Sequence, residues 1–403
     1  MKNSLAIFGT YFLVLFSYPM VRSSVGALFY DHYSSKDYPF ATFIAIIALI
    51  FIIQLSNAIQ EIVGVRKLFA GICMLSSLLM LATHLALTPA TKFLAYILFA
   101  TKEIYIVLLI HLLLAFANNY YSLNEIKKLY GPLGAAGSIG GIVGGILTSS
   151  IATKYGTNVV LYVSLFSIMA CFLPFLLVDK AAQTEQAKSE HHAEDNEGDT
   201  KPIQSIKGVT KYVLLIASIV AVTQWVIYIA DLQFNIIFEK VVTEKNARTA
   251  YLGKIYTYIN IATLFIQFVV LPLLLTRVKI KRIFYFIPVF YILLVFGGLG
   301  LGSGLLYVVA GVFISMKAVD YSLASVVKEV MYHPLSRLQK YGAKYITDMF
   351  VYRSSKAIIA LVFSVWTVQN MLYLNLIQAV LVIIWLVCVY QLFKEQSLKF
   401  KQN

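Results

Sequence analysis

The chain has 403 residues, 60% of them hydrophobic and 13% charged, and its mean hydropathy is +0.78. Soluble domains carry about 25% charged residues, so this composition excludes a water-soluble enzyme or binding module and indicates a polytopic membrane protein. The net charge of +14 sits mostly in short loops between apolar runs, the pattern of membrane topology and not of a nucleic-acid-binding face, so nucleic acid is not an expected partner.

About 20 apolar residues span a bilayer, and twelve such runs follow, near 5–27, 40–60, 67–88, 93–119, 132–152, 158–178, 209–233, 254–276, 281–301, 303–325, 342–367 and 371–393. The first begins directly after Ser4, has no small-residue cleavage site and carries Arg22 near its end, so it reads as a retained helix rather than a signal peptide. The fourth contains Lys102 and Glu103. The fifth carries GPLGAAGSIGGIVGGIL, with Gly137, Gly141 and Gly145 at four-residue spacing. Small residues at that period predict close contact between two helix backbones, with Gly141 tolerating alanine but not leucine. No lysine–hydroxyl pair follows the glycines, which argues against a phosphate-cradling loop.

Residues 180–207, with His191 and His192, are polar and lack an apolar period, and read as a disordered linker. The seventh span carries Asp231, the tenth Lys317 and Asp320, and the eleventh Asp348, Arg353 and Lys356. His84 and His111 stand alone in apolar runs and read as core residues. Cys73, Cys171 and Cys388 lie in apolar runs without metal-ligand spacing and read as packing residues. No metal motif, cofactor motif or nucleophile constellation is present, so neither a cofactor nor an enzymatic activity is expected.

These runs predict an all-α membrane protein of about twelve transmembrane helices. A first six-helix half covers 1–179, a linker 180–208 and a second half 209–403. This layout resembles the major facilitator transporters, in which substrate sits near the bilayer midplane between the halves. With the N-terminus inside, 21 of the 33 lysines and arginines fall in cytoplasmic segments, 7 outside and 5 within spans. That bias places both termini in the cytoplasm.

A charge at membrane depth costs roughly 2.5–3.5 kcal/mol on insertion scales, so charges within spans face protein or a wet cavity. Arg22, Glu103, Asp231, Arg353 and Lys356 are therefore candidates for substrate binding or gating, whereas Lys317 and Asp320, one turn apart, are expected to pair. Arg353 and Lys356 share a helix face and together suit a phosphate or carboxylate, a fork beside a point charge. Asp348, five residues from Arg353, lies about 140° around an ideal helix and is poorly placed to cap both. Asp231 or Glu103 are the remaining carboxylates for that role.

The blocks YSLASVVKEVMYHPL (321–335) and GAKYITDMFVYRSSK (342–356) resemble the ATP:ADP antiporter family, the nucleotide transporters of plastids and intracellular bacteria, in its short bacterial form. FANNYYSLNEIKKLYGPLGAAGSIGGIVGG (116–145), IADLQFNIIFEKV (229–241) and IQLSN (53–57) extend the likeness. Two lysines and two glutamates are associated with nucleotide transport in that family. By this resemblance Gln54 stands in the place of the first lysine, Glu103 matches the first glutamate, Asp231 replaces the second, and Lys328 matches the last lysine.

The expected function is a secondary transporter of a nucleotide or another phosphorylated anion, acting as a monomer in a bacterial inner membrane. Arg22, Lys328, Arg353 and Lys356 would attract the anion, and Glu103 and Asp231 would gate or carry a proton. Two alternatives remain open at this point: a transporter of a neutral or cationic solute, and a non-transporting membrane scaffold or sensor.

Overall fold

The computed structural model describes residues 2–121, 123–177 and 202–399, so most of the expected linker, with His191 and His192, lies outside the described residues. The described regular structure is entirely helical, as lipid requires of a chain that must satisfy its own backbone hydrogen bonds. Twelve long helices follow in order: α1 Lys2–His32, α2 Tyr38–Val63, α3 Val65–Leu85, α4 Leu94–Tyr120, α5 Leu123–Tyr155, α6 Thr157–Leu176, α7 Thr210–Val241, α8 Lys245–Arg277, α9 Ile280–Leu301, α10 Leu306–Met331, α11 (337–365) and α12 Met371–Lys399.

Eleven of these are long and apolar enough to cross a membrane. The twelfth, α11, carries Lys344, Asp348, Arg353 and Lys356, yet it is helical without a break. Its start is fixed by a capping box in which Ser336 and Gln339 satisfy each other's backbone N–H. Single residues with positive φ, Gly64 (80°) and Gly156 (89°), join α2 to α3 and α5 to α6. Only glycine adopts that backbone without a Cβ penalty.

The described residues form two compact units. The first draws on the described residues within 1–34, 44–196 and 242–261: α1, most of α2, α3 to α6 and the first part of α8. Its centre is α1, packed on α4, α5 and α6. The glycine period of α5 works as expected. A Cβ at Gly140 or Gly144 would strike the carbonyl of Phe12 or Phe16 on α1, so the two backbones are in direct contact. In the other glycine row Gly137 faces Tyr11 and Leu15 of α1, whereas Gly141 and Gly145 face α8, Gly145 lying against Thr257 and Gly253. A Cβ at Gly141 would stand 2.6 Å from the Asn260 side-chain amide, so an alanine there requires that amide to shift.

The start of α8 is tied into this unit by polar contacts. Arg248 Nη1 donates to the Tyr30 carbonyl at 2.7 Å, Thr157 N–H donates to Asn246 Oδ1 at 2.8 Å, and Lys245 pairs with Asp31 at 3.2 Å. Cys73 and Cys171 are buried free thiols in the same unit.

The second unit draws on 35–43, 197–241 and 262–403: the start of α2, α7, the rest of α8, and α9 to α12. Its centre is α7, the most enclosed span, packed on α10, α11 and α12. Trp225 Nε1 donates to the Ser355 carbonyl and Gln378 Nε2 to the Val226 carbonyl, each at 2.8 Å. These side chains tie α7 to its neighbours, Gln378 from a fully buried position. The end of the expected linker is not disordered: Pro202–Ser205 forms a helical turn, and Ile206 and Val209 enter the core. Both are apolar residues directly before α7 that gain by burial. Among the described residues, the π-helical turns Ile266–Val270, Asp320–Ala324 and Tyr345–Val351 all belong to this unit.

Candidate functional site

In the first unit, α1 and α4 bring together the charges of their spans. Arg22 Nη2 stands 3.7 Å from Glu103 Oε1, and Lys102 Nζ stands 3.8 Å from the same oxygen. Arg22 also donates to the Tyr18 hydroxyl and lies 5.5 and 5.6 Å from the ring centres of Tyr18 and Tyr256. Lys102 is 5% exposed and sits 3.4 Å from the centre of the Phe99 ring. Aromatic faces and one carboxylate thus hold two cations in a dry setting, where a cation over a ring is worth ~2 kcal/mol. Gln54 is exposed on α2.

In the second unit, Asp231 is 5% exposed on α7. Tyr38 O–H donates to its Oδ2 at 2.9 Å and Asn235 Nδ2 to its Oδ1 at 3.0 Å. The Tyr38 ring stacks on Tyr228, with centroids 6.4 Å apart. The start of α2 is therefore fastened to α7 by the same carboxylate that the motif resemblance singles out. Neither Tyr38 nor Asn235 carries a sequence signal that would have named it.

The other charges lie on α10 and α11. Lys328 Nζ pairs with Asp348 Oδ1 at 3.0 Å and stands 5.9 Å from the centre of the Tyr352 ring. Tyr332 O–H donates to the same Asp348 oxygen at 3.1 Å and meets Thr347. Burial, and then the neighbouring Asp348 charge, push the Tyr332 phenol up, which keeps it a donor. Asp348 thus caps Lys328 and not the Arg353–Lys356 pair.

Arg353 is half-buried, and its Nη1 donates to the Met349 carbonyl at 3.2 Å. Among the described residues Arg353 makes no ion pair within 4.0 Å. Of the carboxylates considered as its caps, Glu103 pairs with Arg22, and Asp231 accepts from Tyr38 and Asn235. Lys356 lies three residues beyond Arg353 on α11. The expected Lys317–Asp320 ion pair is absent: neither group has an oppositely charged partner within 4.0 Å among the described residues. Their helix turns from α to π winding at Asp320, which moves the acid off the face that ideal spacing assigns it.

The described residues contain no group of three or more histidines, cysteines or carboxylates placed to hold a metal ion. What the charges on α10 and α11 can do is hold an anion: five lysines and two arginines stand there against Asp320, Glu329 and Asp348.

The fold recurs in solved transporters. The structure of the nucleoside transporter NupG superposes with a TM-score of 0.67 at 13% identity, over 98% of this chain and 99% of that one. A bacterial homologue of the iron transporter ferroportin, in an inward-facing state, gives 0.66 at 12% identity, over 97% and 98%. A D-xylose-proton symporter gives 0.67 at 13%, over 96% and 97%. No curated protein matches in sequence. The sequence pattern of the Major Facilitator Superfamily matches residues 6–328, most of the chain. A matching pattern of that extent and a twelve-helix fold shared end to end lead to one conclusion: the chain belongs to the Major Facilitator Superfamily and is a secondary transporter that works by alternating access.

Proposed function

We propose that this transporter carries a nucleotide or a related phosphorylated anion, by exchange of the ATP/ADP type, across a bacterial inner membrane, with both termini cytoplasmic. The observation that carries the reading is the surplus of cations on α10 and α11. On these two helices Lys317, Lys328, Lys340, Lys344, Lys356, Arg337 and Arg353 stand against Asp320, Glu329 and Asp348, and Arg353 donates to a backbone carbonyl. A surplus of cations along membrane-spanning helices is costly and favours an anionic cargo. The motif blocks at 321–335 and 342–356 support a nucleotide, since they contain several of these residues.

Uptake and exchange by proteoliposomes across a panel of nucleotides tests the reading. Saturable exchange of ADP against internal ATP is expected, and uptake of an uncharged nucleoside with indifference to every nucleotide would overturn it. A reporter fused at Asp195 is expected to read cytoplasmic.

A neutral solute is the second reading, favoured by one observation. Arg22 with Glu103 and Lys328 with Asp348 are already neutralised within the protein. The same panel separates the two.

A further inference from the structure

Two helices cross from one unit to the other. α2 is continuous from Tyr38 to Val63, yet 38–43 belong to the second unit and 44–63 to the first. α8 does the reverse: 245–261 lie in the first unit and 262–277 in the second. Alternating access moves one body against another. Each of these helices must then either bend at its crossing or let go of one unit.

The two are built differently at that point. Sharp kinks form at prolines, glycines and π-helical turns. α8 has two of these just beyond residue 261, the π-helical turn Ile266–Val270 and then Pro272. α2 has none near residue 43. It contains no glycine, its one proline, Pro39, lies in the first turn, and its winding is α-helical throughout. α8 can bend beside its crossing and α2 cannot.

Their attachments differ in the same sense. The start of α8 is held to the first unit by close backbone packing: a Cβ at Gly253 would stand 2.9 Å from the Gly145 carbonyl on α5. The Thr157 and Thr249 hydroxyls meet beside it at 2.8 Å. The start of α2 is held to α7 through side chains of α7. Ser35 N–H donates to Glu239 Oε2 at 2.7 Å, Tyr38 O–H donates to Asp231 Oδ2 at 2.9 Å, and the Tyr38 ring stacks on Tyr228. Hydrogen bonds of this kind can be exchanged for bonds to water, whereas two packed backbones have no such substitute.

We propose that α2 and α8 divide the work of alternating access: the first turns of α2 unclasp from α7 at Ser35 and Tyr38 in every cycle, whereas the start of α8 stays docked on the first unit and the helix bends at its π-helical turn. The longer part of α2 lies in the first unit, so the short end is the one that releases. Tyr38 is a positioning residue, and its hydroxyl sets how often the clasp is open.

Spin-label distances in the purified full-length protein in nanodiscs test this, with Cys73, Cys171 and Cys388 replaced by alanine. No substrate is needed, so the result stands apart from the identity of the cargo. Labels at Phe40→Cys and Tyr307→Cys, exposed residues of the second unit, report the clasp. Labels at Leu85→Cys and Lys254→Cys, exposed residues of the first unit, report the start of α8. The first pair is expected to show a short and a long distance. Tyr38→Phe should raise the long population at least about tenfold, since the lost hydrogen bond goes to a buried carboxylate. The second pair should keep one distance in both proteins. A hydroxyl with a purely structural role would lower the melting temperature and leave the first pair at one distance. A single distance for the first pair in both proteins, or a second distance for the other pair, overturns the assignment. If Tyr38→Phe does not fold, Glu239→Gln, which weakens the other tie, takes its place under the same criteria.

Discussion

In the first unit the Glu103 carboxylate stands 3.7 Å from Arg22 and 3.8 Å from Lys102, with side-chain exposures of 16%, 12% and 5%. In the second unit Lys328 and Asp348 close to 3.0 Å, yet their side chains keep 27% and 26% exposure. The longer contacts belong to the drier cluster. There the charges are also held by the Tyr18, Tyr256 and Phe99 rings, and removing one partner of a buried ion pair is costly. The wetter cluster has shorter contacts but gives up less when they open, because solvent reaches both partners. The first arrangement suits a fixed strut and the second a site that exchanges partners.

The largest expected effect follows from removing the shared carboxylate of the first unit. Glu103→Gln should lower stability by about 3 kcal/mol, because Arg22 and Lys102 then face each other in a dry setting. Thermal unfolding in detergent reads it, and a loss no greater than that of Lys328→Gln would erase the contrast between the units.

Next in size is the backbone contact of α5 with α1. Gly144→Ala should cost roughly 1–3 kcal/mol by overpacking against the Phe16 carbonyl. Gly297→Ala on α9 of the second unit meets nothing within 4 Å. It should be neutral or stabilising by up to about 1 kcal/mol through helix propensity. Equal melting temperatures for these two variants would show that the close packing of the first unit is not needed.

Lys328→Gln comes third on the stability scale, at about 1 kcal/mol or less for a pair that is a quarter exposed. Its larger effect should fall on function, with nucleotide uptake down at least about tenfold while the protein inserts normally. The smallest structural effect belongs to Arg353, whose side chain makes one hydrogen bond among the described residues, to the Met349 carbonyl. Arg353→Gln should leave stability within about 0.5 kcal/mol and nearly abolish anion uptake. Arg353→Lys should weaken affinity about tenfold, the equivalent of a lost fork worth about 1.4 kcal/mol. Wild-type uptake by both Arg353 variants would move the neutral-solute reading ahead.

The spans were legible because a run of apolar residues long enough for the bilayer has few other uses in a chain this hydrophobic. α11 was legible for a different reason: its apolar residues continue past Asp348, Arg353 and Lys356, so it reads as a span despite its charges. The Arg22–Glu103 contact was half legible. Each residue announces itself as a charge within a span, but no local spacing says that α1 and α4 bring them together. Lys328 was marked only by its motif, and its pairing with Asp348 joins two helices. The angular argument about Asp348 assumed 100° per residue, and the chain there is wound as a π-helix over Tyr345–Val351. The Lys317–Asp320 pair failed on the same ground. Tyr38 and Asn235 had no signal, since a tyrosine or asparagine near a span end looks like any interfacial residue.

The wide turn over Tyr345–Val351 has a consequence for heredity. A π-helical turn is an α-helix with one residue too many, so it can arise in a single step, by insertion of one codon, and be undone by the loss of one. Everything beyond such an insertion swings by about 100° around the helix axis. Arg353 and Lys356 lie just beyond this one. Where those two cations point is therefore set by how many residues precede them as much as by what they are. We expect deletion of Phe350, an exposed residue inside the turn, to leave every charge of α11 in the chain and the span long enough for the bilayer, and still to silence anion uptake. A reinserted alanine should restore it.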